Sequence, residues 1–258
     1  MQATNDRISS VEILGSRVHL LSIPEIVSKM NEWIEQKNGK CHQIVVTGFH
    51  GLWEAHKNSE LKKIFNSADL WIPDGIAPVW IARYHGLRAE RTPGADVMNA
   101  FLALANEKKY KSFFYGDTDD TLNKLKDALA QKYPDHVVVG TYSPPFRALT
   151  HEEDQQIMEM IEAANPDILW VGLGTPKQDQ WIYDHLPRLK VPIAIAVGAA
   201  FQFLAGKVKR APSWIGAMGL EWLWRLALEP KKLWKRDIIE GPKFLASVLK
   251  EIIQNKKK

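Results

Sequence analysis

The 258-residue chain has a single cysteine, Cys41. One thiol excludes a disulfide framework and points to a reducing, intracellular compartment. Long apolar runs are missing as well. No stretch of about 18 uncharged apolar residues occurs, so no transmembrane helix is expected. The first residues, Met1-Gln-Ala-Thr-Asn-Asp-Arg7, lack a basic segment followed by an apolar one, so no signal peptide is expected. No repeat is evident, and low complexity is confined to Lys256-Lys-Lys258. The eight histidines are scattered with no His-x-x-x-His pair, and no metal constellation is expected. The chain has neither a Gly-Lys-Ser/Thr phosphate loop nor a full Gly-x-Gly-x-x-Gly fingerprint, which argues against a nicotinamide enzyme.

What is present is ordinary in amount and uneven in placement. Hydrophobic residues at 45% and charged residues at 25% suffice for one large domain, or one domain with an appendage. The net charge of +4 hides an asymmetry. Residues 207–258 hold 13 Lys and Arg against 5 Asp and Glu, while residues 1–206 hold 21 against 25. A mildly acidic body therefore carries a basic tail. Trp214, Trp222, Trp224 and Trp234, four of the ten tryptophans, lie in that tail. Basic residues interleaved with Trp and Leu at helical spacing fit an anionic membrane surface. Packing against the body or a neighbouring subunit is the alternative reading of those apolar residues. Nucleic acid is the rival partner for a basic patch, but no helix-turn-helix is recognised.

Along the chain, residues 11–22 read as a hairpin turning at Gly15-Ser16. Ser22 caps a helix running to about Lys37, with Pro24 in its first turn. Apolar runs at 43–47, 69–72, 111–115, 136–142, 167–171 and 192–197 read as strands. Helical patterns separate them, one running from the loop Gly48-Phe-His-Gly51 to about Asn66. This alternation predicts an α/β fold, a Rossmann-like, mainly parallel sheet with helices on both faces. After about residue 206 no strand is convincing. Residues 213–254 read as two or three amphipathic helices, broken at Glu229-Pro230 and Gly241-Pro242. The expected division is a catalytic core at 1–206 and a helical appendage at 207–258.

Several predicted strands end in polar or glycine-rich turns, which a parallel sheet gathers on one edge, where ligands bind. Asp74, in Ile72-Pro-Asp-Gly75, stands at such an end. It is the candidate chemical centre, with helix capping as the alternative. Gly172-Leu-Gly174-Thr175-Pro offers backbone N–H groups to an anion such as a diphosphate, or is merely a tight turn. Gln178 follows in the first helical turn, reaching substrate or facing solvent. His50 lies beside the proposed site, either moving a proton or starting a helix. Asp117-Thr-Asp119-Asp120 superficially resembles metal-binding carboxylates, but first-turn helix acids explain it better. Arg91, Arg210, Arg225 and Arg236 are candidates to clamp phosphate, whereas Arg83 and Arg88 read as solvated. Cys41 has no activating partner.

Taken together, Ala68-Asp-Leu-Trp-Ile-Pro-Asp-Gly75, Arg91-Thr-Pro-Gly-Ala-Asp96, Val171-Gly-Leu-Gly-Thr-Pro-Lys-Gln178, Val197-Gly-Ala-Ala-Phe201, Arg210-Ala-Pro212 and Gly219-Leu-Glu-Trp-Leu-Trp-Arg-Leu-Ala-Leu-Glu-Pro230 resemble the WecG/TagA/CpsF family of glycosyltransferases. The resemblance runs from about Val11 into the tail. It implies transfer of N-acetylmannosamine or its uronic acid from a UDP-sugar to a polyprenyl-diphosphate-linked sugar, in bacterial cell-surface polymer synthesis. It further implies inversion at the anomeric carbon, no metal or other cofactor, and an appendage closing over the site at the inner face of the cell membrane. By position, Asp74 becomes the general base with Thr47 beside it. Arg91 and Gln178 line the pocket, and Arg210 and Arg225 stabilise the diphosphate. Two positions depart from the family pattern. Phe49 stands where Thr-x-Asn is common, and Gln202 stands where Asp follows Gly-Ala-Ala-Phe. Both bear on which sugar is taken. A homo-oligomer is compatible with the sequence. The alternative from another class is a nucleotide- or nucleic-acid-binding regulatory protein with a basic tail.

Overall fold

Turn geometry sets the register of the first two strands. The computed structural model describes residues 8–255, so the expectations for residues 1–7 and for Lys256-Lys-Lys258 lie outside the described residues. Strand β1 (Ser10–Ile13) pairs antiparallel with β2 (Ser16–His19). Leu14 (φ 52°) and Gly15 (φ 76°) are both left-handed, which matches strand twist in a two-residue hairpin. The turn is thus one residue earlier than expected, and Ser16 is a fully buried strand residue. Helix α1 (Ile23–Gln36) follows, begun by a reciprocal capping box between Ser22 and Glu25.

The six apolar runs become β3 (His42–Thr47), β4 (Leu70–Pro73), β5 (Lys111–Gly116), β6 (Val137–Tyr142), β7 (Ile168–Gly172) and β8 (Ile193–Ala196). They form one sheet in the order β4-β3-β8-β7-β5-β6, with every neighbouring pair parallel. Between them lie α2 (Phe49–Lys57), α3 (Ser59–Ser67), α4 (Ile76–Tyr84), α5 (Gly94–Lys108), α6 (Asp119–Lys132), α7 (His151–Ala164), α8 (Lys177–His185) and α9 (Ala200–Leu204). The single helix expected to reach Asn66 is two. Asn58 adopts an extended backbone and its side chain accepts from Glu60 N and Leu61 N, which ends α2 and starts α3.

Alternate residues along each strand serve opposite faces. Ile44, Ile72, Phe114, Trp170 and Ile195 pack against α1, α5 and α6. On the other face Val45 and Trp71 meet the hairpin, α2, α3 and α4. Phe113, Leu169 and Val171 meet α7 and α8 on that same face. The fold is therefore α/β and Rossmann-like, as the alternating pattern implies.

The chain then continues as α10 (Ser213–Ala217), α11 (Glu221–Leu228), α12 (Pro230–Trp234), a π-helical segment (Lys235–Glu240) and α13 (Gly241–Asn255). The expected break at Glu229-Pro230 is present, with Glu229 outside helical geometry. The expected break at Gly241-Pro242 is not. Proline cannot donate to the carbonyl four residues back and its ring crowds that group. Here the helix widens instead, with Gly241 N–H donating to the Arg236 carbonyl, five residues back. The last helix returns to the body. Phe244 and Val248 join the cluster that holds Val11 and Leu14, and Leu14 N–H donates to Glu251 Oε2 at 3.0 Å. The opposite face, with Leu245, Leu249 and Ile253, is exposed.

This two-sided α13 makes a stability prediction. Phe244, 3% exposed, should lose about 3–5 kcal/mol on Phe244→Ala, as a buried aromatic does. Leu245, 55% exposed, should shift by less than about 0.5 kcal/mol on Leu245→Ala. Urea denaturation of both variants measures the difference.

Candidate active site

Parallel pairing brings the carboxyl ends of all six strands to one edge, where a cleft of about 2060 Å³ opens. That exceeds the roughly 300–1,000 Å³ of a site for one small ligand. Thr47, His50, Asp74, Arg91, Gly172, Gly174, Thr175, Gln178, Gln202, Arg210 and Arg225 all line it. Residues scattered over 179 positions of sequence are thus brought to one surface.

Asp74 follows β4 and is wedged in place by its neighbours. Its N–H donates to the Thr47 carbonyl (3.4 Å), and its Oδ1 accepts from Gly94 N–H (3.0 Å). It does not cap the helix that follows it, because α4 begins after Gly75, but its carboxylate takes the first N–H of α5. Dense protein surroundings push the Asp74 carboxyl above the ordinary aspartate range; Gly94 N–H opposes this, Glu221 adds to it, and Arg91 and Arg225 oppose it. Thr47 is buried against the first turn of α2. A Cβ on Gly51 would sit 2.3 Å from Thr47 Cγ2, so that turn needs glycine to approach.

His50 belongs to this helical turn rather than to a loop. Its Nδ1 lies 3.8 Å from Glu54 and 3.7 Å from Glu240 of the π-helical segment. Burial holds its imidazole below the ordinary histidine range, against the opposing pull of Glu54. Among the described residues, His50, Glu54 and Glu240 are the one trio whose ligand atoms lie close enough to share a metal ion, within 4.8 Å. The Lys57 ammonium already pairs with both glutamates, at 2.8 and 3.1 Å. Asp117, Asp119 and Asp120 do not converge. Thr118 caps α6, Asp119 and Asp120 sit in its first turn, and Asp117 turns away toward Gln202.

Gln178 is neither a solvent-facing residue nor a free amide. Its Oε1 accepts from Gly174 N–H (3.0 Å) and Gly198 N–H (3.1 Å). One buried side chain thereby ties the turn after β7 to the turn after β8. Thr175 Oγ1 accepts from its Nε2 at 3.4 Å. Gln202 donates from Nε2 to Asp117 Oδ2 at 2.8 Å. Phe49, the other departing position, packs on Phe244 with ring centroids 5.8 Å apart.

The arginines arrive already partnered. Arg91 donates to the Gly216 carbonyl (2.7 Å) and to Glu221 (2.5 Å). Arg210 grips both oxygens of Asp96, which raises its pKa, and lies 3.7 Å from Glu221. Arg225 reaches Glu229 at 3.8 Å, while its buried Nε has no partner. Arg236 pairs with Asp237. Outside the cleft, Arg83 is not simply solvated: it forks onto the Ala89 carbonyl (3.1 and 2.9 Å) and folds the following loop. Cys41 is buried, and burial pushes its thiol up to about 12, as an inert thiol requires. Glu221 is the site residue that the sequence did not disclose. It bridges Arg91 and Arg210 only because the tail folds over the strand ends.

Comparison with known proteins follows the same outline. The profile of the glycosyl transferase WecG/TagA/CpsF family matches residues 11–258. A Bacillus subtilis (strain 168) protein, N-acetylglucosaminyldiphosphoundecaprenol N-acetyl-beta-D-mannosaminyltransferase, is 34% identical over 198 residues, covering 76% of this chain and 75% of its own length. The protein of the same name from Bacillus spizizenii is 30% identical, covering 77% and 75%. A Staphylococcus aureus (strain NCTC 8325) protein of that name is 25% identical over 245 residues, covering 94% and 93%.

The buried carboxyl has a measurable signature. With its folded pKa raised, Asp74 favours the native state only while protonated, and that contribution is lost as pH rises through the raised value. Asp74→Asn keeps an acceptor for Gly94 N–H and carries no charge. It should therefore melt above wild type at pH 8, with the gap closing as the pH falls toward 4. Calorimetry across that range checks it. Separately, Gln178→Ala leaves the half-buried Gly198 N–H without its acceptor while the exposed Gly174 N–H passes to water, and should cost roughly 1–3 kcal/mol, read by chemical denaturation.

Proposed function

The chain belongs to the WecG/TagA/CpsF family of glycosyl transferases, and from that premise we propose that it moves an N-acetylmannosamine-like sugar, or its uronic acid, from a UDP-sugar to a polyprenyl-diphosphate-linked sugar. Membership of a transferase family leaves the regulatory-protein alternative without support. The observation that carries the reading is Asp74, a carboxyl of raised proton affinity at the strand edge, faced by Arg91 and Arg225. A general base needs an appetite for protons, and a departing diphosphate needs cations nearby.

In the reaction, Asp74 takes the proton of the acceptor hydroxyl. The freed oxygen attacks the anomeric carbon of the donor, and the bond from that carbon to the diphosphate oxygen breaks. UDP leaves with the electron pair, on the face opposite to attack, so the anomeric centre inverts. Arg225, which with Arg91 acts electrostatically on Asp74, helps to meet the new charge, and Arg91 and Arg210 can exchange carboxylates for phosphate. The backbone N–H groups around Gly172–Thr175 add fixed dipoles. With these groups carrying the charge, no metal ion is needed.

The acceptor is lipid-linked, and the apolar side of the cleft suits it. No helix among the described residues is long and apolar enough to cross a membrane. Trp214, Trp222, Trp234, Ile238, Leu245, Leu249 and Ile253 are exposed on the basic tail. Such a face enters the boundary of an anionic bilayer while its Lys and Arg residues meet the headgroups. The enzyme would work as a peripheral protein at the inner face of the membrane.

Transfer from UDP-N-acetylmannosamine to undecaprenyl-diphosphate-linked N-acetylglucosamine, assayed in excess EDTA, tests the reading. Asp74→Asn should lose at least about a thousandfold in kcat, the upper part of the range for a general base, while UDP still raises its melting temperature. In wild type, the acid limb of kcat/KM should lie above pH about 3.9, the ordinary aspartate value, because the base must shed its proton to act. Full activity of Asp74→Asn, or an absolute need for a divalent ion, would overturn the mechanism. Replacing Leu245, Leu249 and Ile253 with serine should reduce co-sedimentation with anionic vesicles and leave the fold intact.

A further inference from the structure

The cleft is chemically lopsided about Asp74. Toward α4 and α13 its walls are Phe49, Ile76, Trp80, Phe244 and Leu245. Toward β5 and β6 they are Tyr115, Asp117, Pro144, Trp181 and Gln202. The first lobe is the more apolar of the two, with His50, Glu54, Arg236 and Glu240 at its margin. The second has the Asp117 carboxylate at its inner end, beside Trp181, which covers the buried Tyr115 ring with centroids 4.4 Å apart.

That carboxylate is unusually well fixed. Gly116 has φ 121°, and a Cβ there would lie 2.5 Å from the Gly172 carbonyl oxygen, so β5 ends hard against β7. Asp117 then takes a left-handed conformation (φ 57°), which Asp tolerates better than most residues. Its N–H donates to the Gly172 carbonyl (3.0 Å), and its own carbonyl accepts from Ser143 Oγ (2.7 Å). Oδ1 accepts from Thr118 N–H (2.8 Å) and Oδ2 from Gln202 Nε2 (2.8 Å). Each oxygen keeps acceptor capacity and lies beside the cleft.

Strand order converts this into a map. From the Asp74 end of β4 to the Asp117 end of β5 the sheet crosses β3, β8 and β7. Four strand spacings of roughly 4.8 Å make about 19 Å. The glycine turns tied by Gln178 lie between, after β8 and β7. A proton acceptor, an attacking oxygen, a sugar carbon, two phosphoryl groups and a ribose laid in series fill such a span.

We propose that Asp117 is the ribose-reading residue of the donor subsite: its carboxylate accepts hydrogen bonds from the 2′- and 3′-hydroxyls of a ribonucleoside diphosphate, and Gln202 positions it. The proposal rests on the nucleotide-sugar reading above. It gives the donor a direction along the sheet edge, sugar toward β4 and nucleoside toward β5, and leaves the apolar lobe to the lipid-linked acceptor. A carboxylate suits this task because it only accepts, and a ribose diol presents two donors.

Isothermal titration with UDP, 2′-deoxy-UDP, 3′-deoxy-UDP and inorganic pyrophosphate tests it. Wild type should bind UDP roughly tenfold or more tighter than either deoxy analogue, the effect of losing a hydrogen bond to a charged group. Asp117→Ala, which removes both acceptors, should bind UDP more weakly than wild type binds either deoxy analogue, discriminate among the three by less than about twofold, and bind pyrophosphate as wild type does. Equal affinity of wild type for UDP and both deoxy analogues overturns the assignment without any variant, so a folding defect in Asp117→Ala cannot hide the result. Equal weakening of all three nucleotides by Asp117→Ala also overturns it. Failure of wild type to bind UDP at all removes the donor reading itself, and this assignment with it.

Discussion

Six strands running the same way leave all their carboxyl ends on one edge, and the site depends on that constraint. Each strand end has to turn without a partner strand, so its backbone N–H and carbonyl groups must be satisfied by neighbours. Gln178 does this for two turns at once, its one amide oxygen serving Gly174 and Gly198. Asp74 does it for Gly94, and Asp117 for Thr118. The groups available for chemistry are therefore the same groups that close the turns. Their positions are set by backbone register and do not rely on loop flexibility.

Charge around the site is arranged on the same economy. Asp74, Asp96 and Glu221 bring three carboxyls to a region that also holds Arg91, Arg210 and Arg225. Glu221 holds two of the guanidinium groups in place and, through its own charge, raises the proton affinity of Asp74. An anionic ligand entering here meets arginines whose direction has already been set by internal carboxylates. Much of the side-chain ordering that binding would otherwise demand has been done during folding.

The legible parts of the sequence were those that local physics decides. Runs such as Ile44-Val-Val46 and Leu169-Trp-Val171 are apolar on consecutive positions because both faces of the sheet are covered. Asp74 stood out because Pro73 and Gly75 fix a strand end around it. Less legible were features decided by distant contacts. Glu221 reads as an ordinary surface acid of an amphipathic helix until the tail lies across Arg91 and Arg210. Gln178 reads as a first-turn residue that reaches substrate or faces solvent until β8 brings Gly198 to it. Asp117 resembled a metal-site acid or a helix cap, but the positive φ of Gly116 and Asp117 turns it away from α6. The split of α2 from α3 rested on Asn58, whose capping preference is a local signal that a long helical pattern obscures.

The π-helical segment before Gly241 has a consequence for how the last helix is phased. One residue more than an α-turn requires holds the following residues back by about 100° around the axis. The sequence spacing nevertheless keeps its period: Leu233, Asp237, Phe244 and Val248 are buried, and Trp234, Ile238, Leu245 and Leu249 are exposed. With the period kept and the turn widened, the inward side of the rod moves around its axis, to where Phe244 and Val248 meet the hairpin while Leu245 and Leu249 stay outward. The widened turn at Pro242 thus works as an angular gear, letting one continuous rod present one side to the interior before it and a different side after it.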